Sequence, residues 1–418
     1  MLMLMGGPRL LMGGERGRGG ARPVACARAG LYLSRVSLSV LIGADCLAGS
    51  RSGIYRVTEQ IARAATYDAR VAQVRLRVGT RVHGPEALDT PMVPAPPSGL
   101  RQRVAQVPGA AAVLRLLRGP ALTRAVRRMP APVVYYEPNL IPRPFGGPVV
   151  ITIQDCAFRE MPDTLPRDRL AYIERHLPAA LRSATRITAC SDFTRGQAIR
   201  LLGISPGRIV TVPHAAGAAF RPFNVMEAQP ALAEFGLTDR SYILGVSTLE
   251  PRKNFDGLLA AYLLLPAGLR ARTPLVIAGA AGWGRTLASP AAHAAIARGE
   301  LRLLGFVPDL ALVALYARAS CLAFVSHYEG FGLPVLEAMA SATPVVASRT
   351  TGTGEVAGDA AHLVDPSDPD AIAAGLAEVL GDHRLAEDLR RRGLARAGQF
   401  TVGTMMDGMV GAWQAAAG

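Results

Sequence analysis

Short apolar runs recur along the chain, and stretches of helical length with mixed polarity separate them. Val36–Ile42 is the first such run, and the helical pattern of Ile54–Ala65 follows it. Runs of this length, rich in Val, Ile and Leu, indicate strands that are buried on both faces. The same pattern predicts five further strands before residue 224, namely Arg70–Val78, Val133–Tyr136, Val149–Ile153, Arg186–Ala189 and Ile209–Val212.

The alternation starts again after residue 224. Strands that alternate with helices indicate parallel α/β sheets, so we expect two Rossmann-like domains of the α/β class facing each other across a cleft. We place a disordered tail at 1–30, a first domain at 31–224, a second at 225–400, and a helix that packs back on the first domain at 401–418. The predicted strands of the second domain are Tyr242–Val246, Leu275–Ala278, Leu301–Leu304, Cys321–Val325, Val345–Ala347 and His362–Val364.

The composition is that of a globular protein. The chain has 418 residues, of which 50% are hydrophobic and 19% charged, and this length is too great for one ordinary core. No apolar run reaches the length that spans a bilayer, and the five cysteines form no Cys-x-x-Cys pair. We therefore expect a cytoplasmic protein with reduced cysteines and no metal site.

Positive charge is concentrated in the N-terminal part. The net charge is +14, and the first 130 residues, with 20 arginines and six acids, carry this whole excess. Residues 101–128 have arginines at helical spacing beside apolar neighbours, which is typical of a segment that binds an anionic membrane surface. A solvated helix face in an arginine-rich protein is the alternative interpretation. The sequence contains no nucleic-acid-binding motif, so we expect no nucleic acid partner.

Lys253 is the only lysine among 46 basic residues. It stands next to Arg252, shortly after the predicted strand Tyr242–Val246. A lysine binds phosphate as a compact point charge, whereas an arginine binds it as a planar fork. The adjacent pair at a strand end therefore suggests a diphosphate site. A lysine retained by chance at a turn is the alternative.

A glycine-rich loop follows the predicted strand Cys321–Val325. Gly330 and Gly332 let the backbone approach a ligand, and the helix that begins after them offers free N–H groups to an anion. Glu329 lies in this loop, and Glu337 lies eight positions later inside the helix. Two carboxylates so placed can reach different hydroxyl-bearing parts of one extended ligand. An ordinary turn and a solvated helix carboxylate are the alternatives.

Here the sequence resembles a known family. The segment 328–340 resembles the Glu-x7-Glu signature of family 4 of the retaining GT-B glycosyltransferases, the glycosyltransferase group 1 family. The segment 250–254, Glu-Pro-Arg-Lys-Asn, is similar to the diphosphate-binding turn of that family. The resemblance is most specific after residue 240, and it looks closest to the mannosyltransferase-like branch that builds bacterial surface polysaccharides.

This resemblance implies roles on the donor side. Arg252 and Lys253 would hold the diphosphate of a nucleotide sugar, and Glu337 would accept hydrogen bonds from the ribose hydroxyls. Glu329 would contact the donor sugar. The remaining donor-binding positions are Gly53, Gly330, Phe331, Gly332 and Leu333. The residues to which the resemblance assigns catalysis are Arg252, Lys253, Glu329 and Asp155.

On the acceptor side the resemblance implies Asn139, Gln154 and Asp155. Gln154 stands where the family commonly has a histidine, and a glutamine can hydrogen-bond a sugar hydroxyl but cannot take a proton. Asp155 would contact the donor sugar or the acceptor, and a strand-end cap is its alternative role. Tyr55 stands where the glycine loop of the family usually has a second glycine.

The expected function is retaining, metal-independent transfer of a hexose, mannose foremost, from a nucleotide diphosphate sugar. The expected acceptor is a hydroxyl of a glycan or lipid-linked glycan in surface polysaccharide synthesis. We expect no separate cofactor, and we expect an association with the inner face of the plasma membrane through 101–128. Two alternatives stay open: a sugar-nucleotide epimerase on the same fold, and a non-catalytic partner subunit that binds nucleotide or glycan.

Overall fold

The computed structural model describes residues 37–49, 51–90, 126–130 and 132–418. The predicted tail at 1–30 and most of the predicted membrane-binding segment at 101–128 lie outside the described residues. The strands predicted from the sequence are present, and their ends agree to within two residues. The α/β class and the arrangement in two sheets are confirmed.

The first sheet contains seven strands, which are β1 (Leu38–Gly43), β2 (Val71–Val78), β3 (Arg81–His83), β4 (Val133–Glu137), β5 (Val149–Ile153), β6 (Arg186–Ala189) and β7 (Ile209–Thr211). Their order is β3-β2-β1-β4-β5-β6-β7. All neighbours are parallel except β3, which pairs antiparallel with β2. The apolar pattern does not predict β3, because three residues are too few to show an alternation.

The second sheet contains six strands, which are β8 (Ile243–Val246), β9 (Leu275–Ala278), β10 (Leu301–Gly305), β11 (Cys321–Phe324), β12 (Val345–Ser348) and β13 (His362–Val364). All neighbouring pairs are parallel, and the order is β10-β9-β8-β11-β12-β13. Every residue of β8, β9, β11 and β12 is buried, as continuous apolar runs in a parallel sheet require.

Helices connect and cover the strands. Among the described residues before 224, the helices are α1 (Gly53–Tyr67), α2 (Ala157–Glu160), α3 (Arg167–Ser183) and α4 (Asp192–Leu202). Those that follow are α5 (Val225–Glu234), α6 (Phe255–Leu264), α7 (Ala267–Arg270), α8 (Pro290–Ala297), α9 (Asp309–Arg318), α10 (Leu333–Ala340), α11 (Thr351–Ala357), α12 (Pro369–Gly381), α13 (His383–Ala397) and α14 (Val402–Ala417). Polar side chains cap several of them at the N-terminus, as Asp368 does for α12 and Asp382 for α13.

The last helix, α14, returns to the first sheet after the chain has completed the second. It packs on β4, β5 and β6 and on helix α1. Trp413 is fully buried there, with its ring centroid 5.7 Å from that of Tyr136. Residues 37–418 form one compact unit.

The strand order of each sheet reverses at one point. In the first sheet β1 lies between β2 and β4, and in the second sheet β8 lies between β9 and β11. Ligands of open parallel sheets bind at the carboxyl ends of the strands at such a point. The loop with Lys253 follows β8 and the loop with Glu329 follows β11, so the topology brings these two segments together.

Candidate active site

Residues from both sheets line a cleft with a volume of about 790 Å³. The predicted residues of the first half that line it are Gly53, Asn139, Gln154 and Asp155. Those of the second half are Arg252, Lys253, Glu329, Gly330, Phe331, Gly332 and Leu333. Of the predicted site residues, Glu337 alone does not contribute to this lining.

A cluster of paired charges lies where the strand order of the second sheet reverses, which we call its switch point. Lys253 Nζ lies 2.5 Å from Glu329 Oε1, and Arg252 Nη1 lies 3.3 Å from Glu329 Oε2. Arg252 also reaches Glu250, with 3.1 Å between Nε and Oε2, and Asp155 of the first half, with 3.8 Å between Nη1 and Oδ2. Both cations that would bind a diphosphate are thus held by carboxylates.

The local backbone presents this pair of cations to the cleft. Residues Pro251–Lys253 form a single turn of 3₁₀ helix after β8, and Asn254 follows with a left-handed φ of 58°. The Asn254 amide nitrogen donates to the carbonyl oxygens of Val325 and Pro366, at 3.0 and 2.7 Å. Asparagine tolerates this conformation better than most residues, so its place in the motif has a structural reason.

Burial and charge shape the titration of this cluster. Burial acts against the charged form of Glu329, but the charges of Lys253 and Arg252 outweigh it and hold the pKa of this carboxyl below its ordinary value. Burial and the neighbouring Arg252 charge lower the pKa of Lys253. The two cations therefore stabilise the charged form of Glu329, whereas Arg252 disfavours the charged form of Lys253.

The glycine loop before α10 joins the two halves of the cleft. A Cβ atom at Gly330 would lie 1.8 Å from the carbonyl oxygen of Gln154, so only glycine fits. The carbonyl oxygen of Gly330 accepts hydrogen bonds from Ser191 Oγ at 2.5 Å and Thr194 Oγ1 at 3.0 Å. Ser191 is also the N-cap of α4, so one hydroxyl caps this helix and joins it to the glycine loop. Gly332 has a φ of 96°, which glycine adopts readily.

Glu337 is held by a residue that the sequence did not predict. Its side chain is 1% exposed, and Arg56 Nη2 of helix α1 lies 2.9 Å from its Oε1. Burial raises the pKa of Glu337 above its ordinary value, while the Arg56 charge acts in the opposite direction. The predicted ribose contact therefore requires Glu337 to exchange or share this partner.

The acceptor-side residue Gln154 is fixed by two hydrogen bonds. Its Nε2 donates to the carbonyl oxygen of Pro138 at 2.9 Å, so its Oε1 faces His214, whose Nε2 donates to it at 2.8 Å. Burial lowers the pKa of His214 to about 4, and the imidazole is neutral at pH 7. The sequence did not predict His214, although its place just after a strand end is a usual position for a site residue.

Asp155 and Asn139 make local hydrogen bonds as well as lining the cleft. Asp155 Oδ1 accepts from the backbone N–H of Ala157 at 3.1 Å, which is the strand-end cap considered from the sequence. Asn139 Oδ1 accepts from the N–H of Leu140 at 2.9 Å. Within the described residues, no group of three or more His, Cys, Asp or Glu side chains could hold a metal ion. None of the helices described combines the length and apolar character needed to cross a bilayer.

Comparison with known proteins assigns the chain to a family. Residues 232–396 match the family described as Glycosyl transferases group 1. The chain is 40% identical over 268 residues to the O-antigen chain mannosyltransferase B of Escherichia coli, a match that covers 64% of this chain and 70% of that protein.

Two solved structures have the same fold. The glycosyltransferase WaaG, involved in lipopolysaccharide biosynthesis, matches with a TM-score of 0.66 and 16% identity over 89% of this chain and 98% of its own. HepE of Anabaena, in complex with UDP and glucose, matches with a TM-score of 0.63 and 18% identity over the same shares. This chain therefore belongs to the glycosyl transferases group 1 family and is a glycosyltransferase of the GT-B fold.

Proposed function

We propose that this glycosyltransferase moves a hexose, mannose foremost, from a nucleoside diphosphate sugar to a hydroxyl of a glycan or lipid-linked glycan. The observation that carries the proposal is the buried cluster of Arg252, Lys253 and Glu329 at the switch point of the second sheet. The identity to an O-antigen chain mannosyltransferase supports mannose as the sugar and surface polysaccharide synthesis as the setting. The HepE complex with UDP and glucose supports a nucleotide sugar as the donor.

The donor diphosphate would replace carboxylates as the partner of the two cations. Arg252 and Lys253 each make charge-assisted contacts with Glu329. A diphosphate carries more negative charge than one carboxylate and offers more acceptor oxygens, so it competes for both cations. Glu329 would then be free to accept hydrogen bonds from the hydroxyls of the donor sugar.

The same groups would stabilise the leaving diphosphate, without a metal ion or a separate cofactor. As the bond between the sugar C1 and the phosphate oxygen breaks, negative charge grows on the diphosphate beside Arg252, Lys253 and the N-terminus of α10. The acceptor oxygen forms the new bond to C1, and its proton passes to the leaving phosphate oxygen. Asp155 and Glu329 are both held by Arg252, which favours this same-face route, and hence retention, over a covalent intermediate on either carboxylate.

The proposal is tested by thermal unfolding of the purified protein with GDP, UDP, ADP and dTDP, and with their mannose or glucose conjugates. A ligand that binds only the folded state raises the unfolding temperature by mass action. We expect a clear rise with one nucleotide, followed by transfer of the matching labelled sugar in the presence of EDTA. If no nucleotide shifts the unfolding temperature, the diphosphate site is wrong.

Lys253→Ala separates this site from general charge effects. Because it removes a buried contact to the leaving group, we expect turnover to fall by more than about tenfold and the nucleotide-dependent shift to shrink. Arg272→Ala, which removes an exposed cation outside the cleft, is the matched control and should leave both unchanged. Wild-type turnover in Lys253→Ala would contradict the assignment.

A further inference from the structure

A second group of polar side chains lies in the cleft, at the switch point of the first sheet. Glu137 is the last residue of β4, lines the cleft and is 8% exposed. Tyr135 Oη donates to its Oε2 at 2.6 Å, and Arg77 Nη2 of β2 lies 3.5 Å from the same oxygen. None of these three side chains belongs to the proposed donor site.

The backbone of β1 leaves room for this carboxylate. A Cβ atom at Gly43, the last residue of β1, would lie 2.5 Å from Glu137 Oε2. The carboxylate therefore lies over the end of β1, between the two strands where the order of the sheet reverses. This is where an open parallel sheet binds a ligand, and here it faces the donor half across the cleft.

Charged side chains continue the surface outward from Glu137. Asp45 follows β1 and accepts from Arg77 Nη2 at 3.1 Å. Arg143 Nη2 lies 3.6 Å from Asp45 Oδ2, and the Arg143 side chain is largely exposed. Asp45 and Arg143 both line the cleft. The buried Glu137 carboxylate is thus followed, toward solvent, by a hydrogen-bond acceptor (Asp45) and a donor (Arg143).

The position of Glu137 is costly for the fold. Burial raises the pKa of this carboxyl to about 7, although the Tyr135 hydrogen bond and the Arg77 charge act against the rise. A buried carboxylate whose charge is incompletely compensated destabilises a folded protein. A group that is kept at such a cost, inside a ligand cleft, is typical of a functional site.

We infer that Glu137 binds the acceptor, by accepting hydrogen bonds from hydroxyl groups of its sugar ring. This inference rests on the proposed function and deepens it: the acceptor is a carbohydrate whose ring hydroxyls enter the switch point of the first sheet. A carboxylate accepts two neighbouring hydroxyls at once, and Asp45 and Arg143 supply an acceptor and a donor for hydroxyls farther out.

The test compares Glu137→Gln with wild type, using methyl α-mannoside as the acceptor and the nucleotide sugar found by thermal unfolding as the donor. The amide keeps the shape but loses the charge, so we expect the acceptor KM to rise about tenfold, as loss of a charge-assisted hydrogen bond predicts. The donor KM and the nucleotide-dependent rise in unfolding temperature should stay within about twofold of wild type, because the donor does not contact Glu137 in the proposed site. Glu174→Gln, an exposed carboxylate on α3 outside the cleft, is the matched control.

The pH dependence of the acceptor KM distinguishes binding from a structural role. The titratable and charged groups that act on Glu137 are Asp45, Cys46, Arg77, Tyr135 and Tyr136. Among them, burial raises the pKa values of Cys46, Tyr135 and Tyr136, so these groups stay uncharged near pH 7. We expect the wild-type acceptor KM to fall between pH 6 and pH 8, as the carboxylate forms, and the variant to lose this change.

Each other outcome decides against the inference or against the proposed function. An unchanged acceptor KM in a folded Glu137→Gln overturns the inference, as does an equal change in the donor KM. If wild type binds nucleotide but transfers no sugar, the proposed function fails. Saturation-transfer NMR of methyl α-mannoside then still tests the acceptor site, and equal binding by wild type and variant overturns it.

Discussion

The carboxylate of Glu337 shows how a residue can be identified from a motif while its environment is not. The family resemblance implies a ribose contact for Glu337, but the structure holds it against Arg56, with 2.9 Å between the charged groups. This ion pair joins helix α10 of the second half to helix α1 of the first. If Glu337 binds the donor as proposed, donor binding would be coupled to the contact between the two halves.

We predict that Arg56→Leu destabilises the protein by about 3 kcal/mol at pH 8, because it leaves the buried Glu337 charge without a partner of opposite charge. The loss should be smaller at pH 5. The folded-state pKa of Glu337 is already raised, and removal of Arg56 raises it further. Protonation of Glu337 therefore stabilises the folded variant at low pH. This stabilisation is lost as the pH rises through the folded-state pKa. Urea unfolding at both pH values measures the difference.

A double variant provides the control. Glu337→Gln in the Arg56→Leu background removes the unpaired charge, so it should restore part of the stability at pH 8 and little at pH 5. If Arg56→Leu lowers the free energy of unfolding by the same amount at both pH values, the charge interaction between Arg56 and Glu337 contributes nothing to stability.

At the scale of elements, the loop that connects β11 to α10 also contacts the end of strand β5 and the start of helix α4. Gly330 contacts the end of β5 through Gln154 and the start of α4 through Ser191 and Thr194. The apolar runs predict each of these elements separately. Their meeting point depends on Gly330, for which the sequence predicts a close approach of the backbone to a ligand, with an ordinary turn as the alternative.

We predict that Gly330→Ala lowers the unfolding temperature and abolishes the nucleotide-dependent rise, because the added methyl carbon would lie 1.8 Å from the Gln154 carbonyl oxygen. The backbone must shift to relieve this overlap, and the donor loop moves with it. Gly196→Ala is the matched control. Gly196 lies inside α4 with open space around it, so the change should stabilise the protein by about 0.5 to 1 kcal/mol. Equal behaviour of the two variants would contradict this assignment.

At the scale of the whole molecule, helix α14 connects the end of the chain to the first sheet. It follows the helices of the second half and packs on β4, β5 and β6. Trp413 is its most deeply buried large side chain, in the same core cluster as Val134 of β4 and Leu336 of α10. The first sheet is therefore covered in part by a helix from the C-terminal end of the chain.

We predict that Trp413→Ala destabilises the protein by about 3 to 5 kcal/mol, the usual cost of a large cavity in a core. The nucleotide-dependent rise in unfolding temperature should persist in the fraction that stays folded, because Trp413 does not line the cleft. Gln414→Ala, which changes an exposed neighbour on the same helix, should have little effect. A small loss in Trp413→Ala would show that α14 contributes little to stability, and urea unfolding measures both variants.

The sequence by itself determined most of the strands and helices, and it predicted the residues of the donor side. Continuous apolar runs specify buried parallel strands, and they place the segments with Lys253 and Glu329 just after two of them. The strand order that brings these two segments together, and with it the contact of Lys253 with Glu329, belongs to the tertiary structure. The family resemblance identified the same residues. Periodicity and strand ends are local properties, so predicting the strands and helices needs nothing more.

Only the tertiary structure decided which side chains meet across the cleft. The pairing of Arg56 with Glu337, the hydrogen bond of His214 to Gln154, and the placing of Glu137 over Gly43 join residues that are far apart in the chain. Such contacts depend on how two sheets and their helices pack, and no local pattern specifies that distance. The sequence could therefore predict residues on both sides of the cleft, among them Lys253, Glu329 and Gln154, but not Arg56, His214 and Glu137, with which the fold surrounds them.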